Sequence, residues 1–257
     1  MQYFIVKKRH LLLLLVILLS ACVLSVSIYG TPISAVYLGS NIRLVPIYNV
    51  DTEEKKVAIT FDSAWGADKT TQIVDMVKEY GINATFFLVG FWVEEYPDMV
   101  RYIYDNGLEI GTHSNTHPDM TSLGADNMRL ELSTSINLIE EIIGDDKVQL
   151  FRAPYGAYNN NLLNIASNEF GLKTIQWNID TLDWKGLSGI EICDRVMSKL
   201  VSGSIILCHN NSEHILDALP LIIESVTNAG YEIVSVGELI MQDNYYIDNL
   251  GVQRENE

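Results

Sequence analysis

From Val57 to Val236 the chain alternates short runs rich in β-branched and aromatic residues with longer amphipathic stretches. That alternation constrains the fold more than any other feature. The strand-like runs are 57–62 (VAITFD), 84–89 (ATFFLV), 109–113, 148–152 (VQLFR), 173–178 (KTIQWN), 204–209 (SIILCH) and 232–236 (EIVSV). The stretches between them, 69–80, 97–106, 125–143, 159–170, 189–201 and 213–229, carry the helical period. Gly81, Gly107, Gly144, Gly171 and Gly230 follow the helical patterns, where a left-handed cap favours glycine. Strands alternating with helices predict an α/β fold with a mostly parallel sheet. Seven strands suit an open sheet or an incomplete barrel. No interior linker or repeat divides the run, so one domain is expected over 57–245.

The flanks read differently. Lys7, Lys8, Arg9 and His10 precede an apolar run from Leu11 to Tyr29. A basic cluster before such a run predicts an export signal or a membrane anchor over 1–30, with the chain beyond it outside the membrane. Leu19-Ser20-Ala21-Cys22 also resembles a lipoprotein lipobox, although the apolar run continues past Cys22, which suits an uncleaved anchor better. Residues 31–56 mix Gly, Ser, Asn, Pro and Thr without a helical period and read as a stalk, and 246–257 as a C-terminal tail. The formal net charge of -16 repels phosphate backbones and disfavours nucleic acid as a partner. Beyond Cys22 only Cys193 and Cys208 remain, too few for a disulfide framework, and both are expected as buried thiols.

The unusual polar residues fall at one topological level. Asp62 ends the first strand candidate, His113 the third, Arg152 the fourth and His209 the sixth, while Asp180 and Asp183 follow the fifth. In (β/α) barrels the C-terminal strand ends carry the active site. Any one of these residues has an ordinary explanation, as a turn former or a satisfied core histidine. Their convergence on one rim does not. Around His113 the chain reads His113-Ser114-Asn115-Thr116-His117-Pro118. Two imidazoles four apart can face the same way and share a metal, and Pro118 stops any continuing helix. Neutral imidazoles with a carboxylate and open water positions suit zinc or a similar divalent ion.

These segments resemble the motifs of the polysaccharide deacetylases, the NodB-homology or carbohydrate esterase family four. Thr60-Phe61-Asp62-Ser63 resembles the family's TFDDG. His113 to Pro118 matches H-[ST]-x-x-H-P, and Arg152-Ala153-Pro154-Tyr155-Gly156 matches R-x-P-Y-G. Asp180-Thr181-Leu182-Asp183-Trp184 matches D-x-x-D-W, and Leu207-Cys208-His209 matches L-x-H. Order and spacing agree over about 57–240. The resemblance implies a distorted, mostly parallel (β/α) barrel of seven strands and a hydrolase that removes N-acetyl groups from amino sugars of a polysaccharide. It also implies a divalent metal cofactor, zinc first, with cobalt or another ion as alternatives. Peptidoglycan of the cell wall is the expected substrate and partner, with chitin-type oligomers second. By the same resemblance His113 and His117 hold the metal, Asp62 is the general base, Arg152 holds Asp62, and His209 is the general acid oriented by Asp183. The Tyr155 backbone N–H helps bind the oxyanion, and Trp184 and Leu207 wall the acetyl pocket.

One departure stands out. The family's second Asp, a metal ligand, is Ser63 here, in a loop that resembles a subgroup including sporulation-type deacetylases. Asp68 is near enough in sequence to supply the missing carboxylate, and equally placed to cap a helix beginning near Lys69. Loss of the acidic ligand leaves one rival, a glycan-binding barrel that does not hydrolyse; a second is a different metal-dependent amidase or an esterase, since O-acetyl groups need the same chemistry.

Overall fold

The computed structural model describes residues 43–144 and 146–256. The expected anchor over 1–30 and the first part of the stalk lie outside the described residues. Among the described residues no helix is long and apolar enough to cross a membrane.

In chain order the strands are β1 (Asn49–Val50), β2 (Lys56–Ser63), β3 (Thr85–Leu88), β4 (Glu109–Thr112), β5 (Leu150–Phe151), β6 (Lys173–Thr174), β7 (Ile179–Asp180), β8 (Ile205–His209), β9 (Glu232–Val234), β10 (Tyr245–Ile247) and β11 (Val252–Glu255). The main sheet runs β6-β5-β4-β3-β2-β8-β7, with β9 beside the start of β2. Every pairing in it is parallel. Seven strands on a curled path, with helices between them, make the expected distorted (β/α) barrel.

The strands read as apolar runs because both faces are covered. In β2 every residue from Val57 to Ser63 is buried. Alternate side chains divide between two cores. Val57, Ile59, Phe61 and Phe86 pack with the helices. Ala58 and Phe87 point into the barrel with Leu150, Ile175, Ile205 and Val234. Helix Thr70–Glu79 buries Thr70, Ile73, Val74 and Val77, and helix Ile215–Asn228 buries Ile215, Ala218, Leu219, Ile222, Ile223 and Val226. Both sets have the spacing of a single helical face. A capping box between Ser188 and Glu191 starts helix Gly189–Met197. The five glycines expected as helix stops have φ between 65 and 84°. Cys193 and Cys208 are buried and free, as expected.

The domain edges need correction. Residues 44–56 and 246–256 belong to the folded unit rather than to a stalk and a tail. Strand β1 pairs in parallel with β11, and β10 closes a second, three-stranded sheet. Ile47 and Val50 are buried at 1% and 2% exposure, as part of the inner core. The expected strand 173–178 is also split. Ile47 bridges to Ile175, its backbone bonded to Thr174 and Gln176, and the chain rejoins the sheet as β7 against β8.

Candidate active site

Strand period places the base. Ala58 faces the barrel interior, so Thr60 and Asp62, two and four residues on, share that face. Arg152, fully buried just beyond β5, reaches both: its Nη1 donates to Thr60 Oγ1 at 2.8 Å and to Asp62 Oδ1 at 2.7 Å. Nη2 donates to the Gln176 carbonyl at 3.1 Å, and the guanidinium lies 4.1 Å from the centre of the Phe87 ring. Burial alone would push the Asp62 carboxyl up. The guanidinium and neighbouring imidazoles outweigh it, so the carboxyl titrates below its ordinary value. Asp62 is held as a carboxylate.

His209 is the register partner of Asp62 on the neighbouring strand β8. Its Nδ1 lies 2.7 Å from Asp183 Oδ1, and its backbone N–H donates to Asp183 Oδ2 at 2.8 Å. Asp183 has no exposed surface. Burial would lower the His209 pKa, but the Asp183 carboxylate more than offsets it and the imidazole titrates above its ordinary value. Asp62 and His209 thus stand side by side with their pKa values pushed apart, the carboxyl's down and the imidazole's up, the pattern of a base and an acid.

The expected histidine pair converges. The rings of His113 and His117 are edge-to-face with centroids 5.0 Å apart. His113 Nδ1 donates to the Arg152 carbonyl at 2.7 Å, since a carbonyl can only accept. That tautomer leaves Nε2 as the lone-pair nitrogen, 3.4 Å from Asp62 Oδ2. Burial pushes His113 below its ordinary pKa, and burial together with His113 lowers His117 to about 4. Both imidazoles are therefore neutral and able to ligate at pH 7. The buried Nδ1 of His117 has no partner among the described residues. A carbonyl fixing one imidazole and an orphaned nitrogen on the other fit a divalent ion. The acidic third ligand does not appear: among the described residues no group of three His, Cys, Asp or Glu side chains is arranged to hold a metal. Ser63 is fully buried, and its Oγ has no partner either.

Asp68 does not take that place, and it does not cap the helix. Helix Thr70–Glu79 has Lys69 at its N-cap, with no side-chain cap bond. Asp68 is exposed and its charge acts on Tyr96. The Gly66 carbonyl, two residues earlier, is tied to Trp92 Nε1 and Asn210 Nδ2, which fixes the course of the loop.

Asp62, His113, His117, Asp180, His209, Tyr155, Trp184 and Leu207 all line one cavity of about 640 Å³. Tyr155 has φ of 60° and sets its exposed ring 4.7 Å from that of His117. Ser114, His117 and Leu182 also have positive φ, so four of the five such non-glycine residues among those described sit in the rim loops. Left-handed backbone of this kind costs energy and clusters at functional sites. Tyr155 and Trp184 line the cavity, Trp92 is core, and Phe91, Tyr96 and Tyr158 pack partly buried against the core. Sequence reasoning missed Trp65, Trp177, Asn211 and Ser212, which also line it. Only a position next to a recognised motif, Trp65 after Ser63 and Asn211 after His209, could have pointed to two of them.

A family model described as polysaccharide deacetylase matches residues 49–175. Over 190 residues the chain is 35% identical to the peptidoglycan-N-acetylmuramic acid deacetylase PdaC of Bacillus subtilis, a match covering 74% of this chain and 40% of that protein. The solved PdaC structure superposes with a TM-score of 0.67 at 34% identity, over 74% of this chain and 92% of that one. An uncharacterized protein of Geobacillus stearothermophilus is 31% identical over 198 residues, 76% of this chain and 74% of that protein. A CE4 family pseudoenzyme from Bacillus anthracis superposes with a TM-score of 0.73 at 30% identity, over 83% of this chain and 73% of that one. With its motifs set around one cavity on this barrel, the chain belongs to the polysaccharide deacetylase family, a family of hydrolases.

Proposed function

We propose that this protein removes N-acetyl groups from amino sugars of peptidoglycan with a divalent metal bound at His113 and His117. The observation that carries the reading is the pairing, on adjacent strand ends, of Asp62 bonded to Arg152 with His209 bonded to Asp183. An amide needs an activated water, a stabilised oxyanion and a protonated leaving amine. A bound divalent ion would supply Lewis acidity toward the acetyl carbonyl. Asp62 Oδ1 is taken by Arg152, so Oδ2 receives the proton of the attacking water. His209 Nδ1 is held by Asp183, so Nε2 delivers a proton to the departing sugar nitrogen. The Tyr155 N–H, turned by its left-handed backbone, assists the oxyanion. Leu207, 3% exposed, and Trp184 wall the space for the methyl group.

The relatives named for peptidoglycan support that polymer, and the N-terminal basic and apolar segment supports an extracytoplasmic, membrane-anchored location. Ser63, with no acidic third ligand among the described residues, favours one second reading, a glycan-binding barrel without turnover, and a similar pseudoenzyme supports it. Purified protein is incubated with peptidoglycan and with chitooligosaccharides, with added zinc or cobalt and with chelator. Metal-dependent acetate release with new free amines is expected. New hydroxyls instead of amines identify an esterase. Glycan binding with no acetate at any metal concentration refutes catalysis.

A further inference from the structure

The loop after β2 holds an apolar ring in water. Trp65 is 64% exposed at the cavity, in the loop where the chain departs from the TFDDG pattern. The loop beneath it is not loose. The Gly66 carbonyl accepts from Trp92 Nε1 at 2.8 Å and from Asn210 Nδ2 at 3.0 Å. Lys69 Nζ donates to the carbonyls of Ser212 at 2.5 Å and Glu213 at 3.0 Å. Gly66 has φ of 68°, a left-handed backbone that glycine adopts without strain, and the Asn211 side chain from the other rim loop fills the space a Cβ would take. On this held backbone the indole stands edge-to-face on the His117 ring with centroids 5.0 Å apart and is tilted against Phe91 at 6.4 Å. A second exposed indole, Trp184 at 60%, stands on the loop after β7, with Lys185 Nζ 4.8 Å from its ring centre. The strand order β3-β2-β8-β7 puts the Asp62 and His209 strand ends between these two. Trp65 leans to the β3 and β4 side of them, and Trp184 lies on the β7 side.

Large aromatic side chains in water forgo the burial that stabilises them elsewhere, and a held backbone keeps this one at the cavity rim. Such rings, standing on either side of the catalytic residues at a cavity rim, suit the C–H faces of pyranose rings. We propose that Trp65 is a sugar platform that acts with Trp184 to hold an oligosaccharide across the rim, with one sugar on each indole and the acetylated sugar over Asp62 and His209. This rests on the deacetylase reading for the position of the acetyl group. It adds that Trp65, outside the matched motifs, sets the affinity for the oligosaccharide.

The test uses the full chain and its Trp65→Ala and Trp65→Phe variants. Calorimetry measures binding of N-acetylglucosamine and of its β-1,4-linked tetramer. Trp65→Ala should weaken tetramer binding about 10-fold or more and change monosaccharide binding by less than about 2-fold. Trp65→Phe should fall between. Where acetate is released, KM for the tetramer should rise by the same factor with kcat unchanged. Tyr246→Ala, an exposed aromatic on β10 away from the cavity, should leave tetramer affinity as it was. Equal tetramer affinity in the parent and Trp65→Ala overturns the proposal, as does a parent that binds the tetramer no better than the monosaccharide. A Trp65-dependent tetramer affinity in a protein that releases no acetate sustains the platform and refutes deacetylation, so the two ideas fail separately.

Discussion

Replacing Arg152 by methionine isolates what keeps the base ionised. Arg152 and Asp62 are both buried, and the 2.7 Å bond between them is the carboxylate's shortest contact. Methionine keeps much of the apolar packing over Phe87 but removes the charge. Removing one partner of a buried pair costs about 3–5 kcal/mol, because the other charge stays behind uncompensated. At about 2–4 °C per kcal/mol for a domain of this size, melting should fall by about 6–20 °C. Asp62→Asn should cost less, since the guanidinium keeps Thr60 Oγ1 and the Gln176 carbonyl. The double variant should be more stable than the two single losses added, by about 2 kcal/mol. Urea unfolding with chelator present measures all four proteins without metal. The pH dependence gives a second check. Asp62 titrates below its ordinary value in the folded state, so the pair's contribution is complete above the unfolded carboxylate pKa of about 3.9. It is lost as pH falls through the lower folded pKa, and the gap between parent and Arg152→Met should close there. Strict additivity of the two single variants, or a gap that ignores acid, refutes the claim that Arg152 holds Asp62 as a carboxylate.

Asp183→Asn removes the charge that holds the His209 proton, so the alkaline limb of kcat/KM should move to lower pH, since His209 stays protonated over a narrower range; an unmoved limb means His209 is not the acid. His117→Ala should weaken zinc binding by about 10-fold or more in a calorimetric titration, and unchanged affinity removes it as a ligand. Asp68→Ala should alter neither zinc affinity nor melting temperature measurably, because Asp68 is exposed and makes no cap; a clear loss of zinc binding would bring it back as the third ligand.

Much of the barrel was readable in one dimension. A strand buried on both faces must be apolar throughout, and a helix packed on it must repeat its apolar residues every three or four positions. β2, β8 and helix Ile215–Asn228 obey these rules, so they show in the residue order. Polar residues that interrupt such runs only at their C-terminal ends carry a cost that packing cannot explain, and Asp62, His113, Arg152 and His209 were found that way. Contacts between distant segments leave no such mark. Two-residue strands such as β1 have no period, and whether Asn49–Val50 belongs to a stalk or a sheet depended on Val252 and Gln253, some two hundred residues away. Asp68 has the right charge at a plausible spacing. Its direction was set by Trp92 and Asn210 gripping the Gly66 carbonyl, and that grip exists only once three separate segments of the chain meet. The same closure turned Trp65 from one more apolar residue into an exposed wall of the cavity. Local pattern determined which residues could form strands, helices and a reactive rim, because burial acts on every residue along the chain. Only the tertiary structure decided which side chains face one another, because that choice is made by residues far apart in sequence.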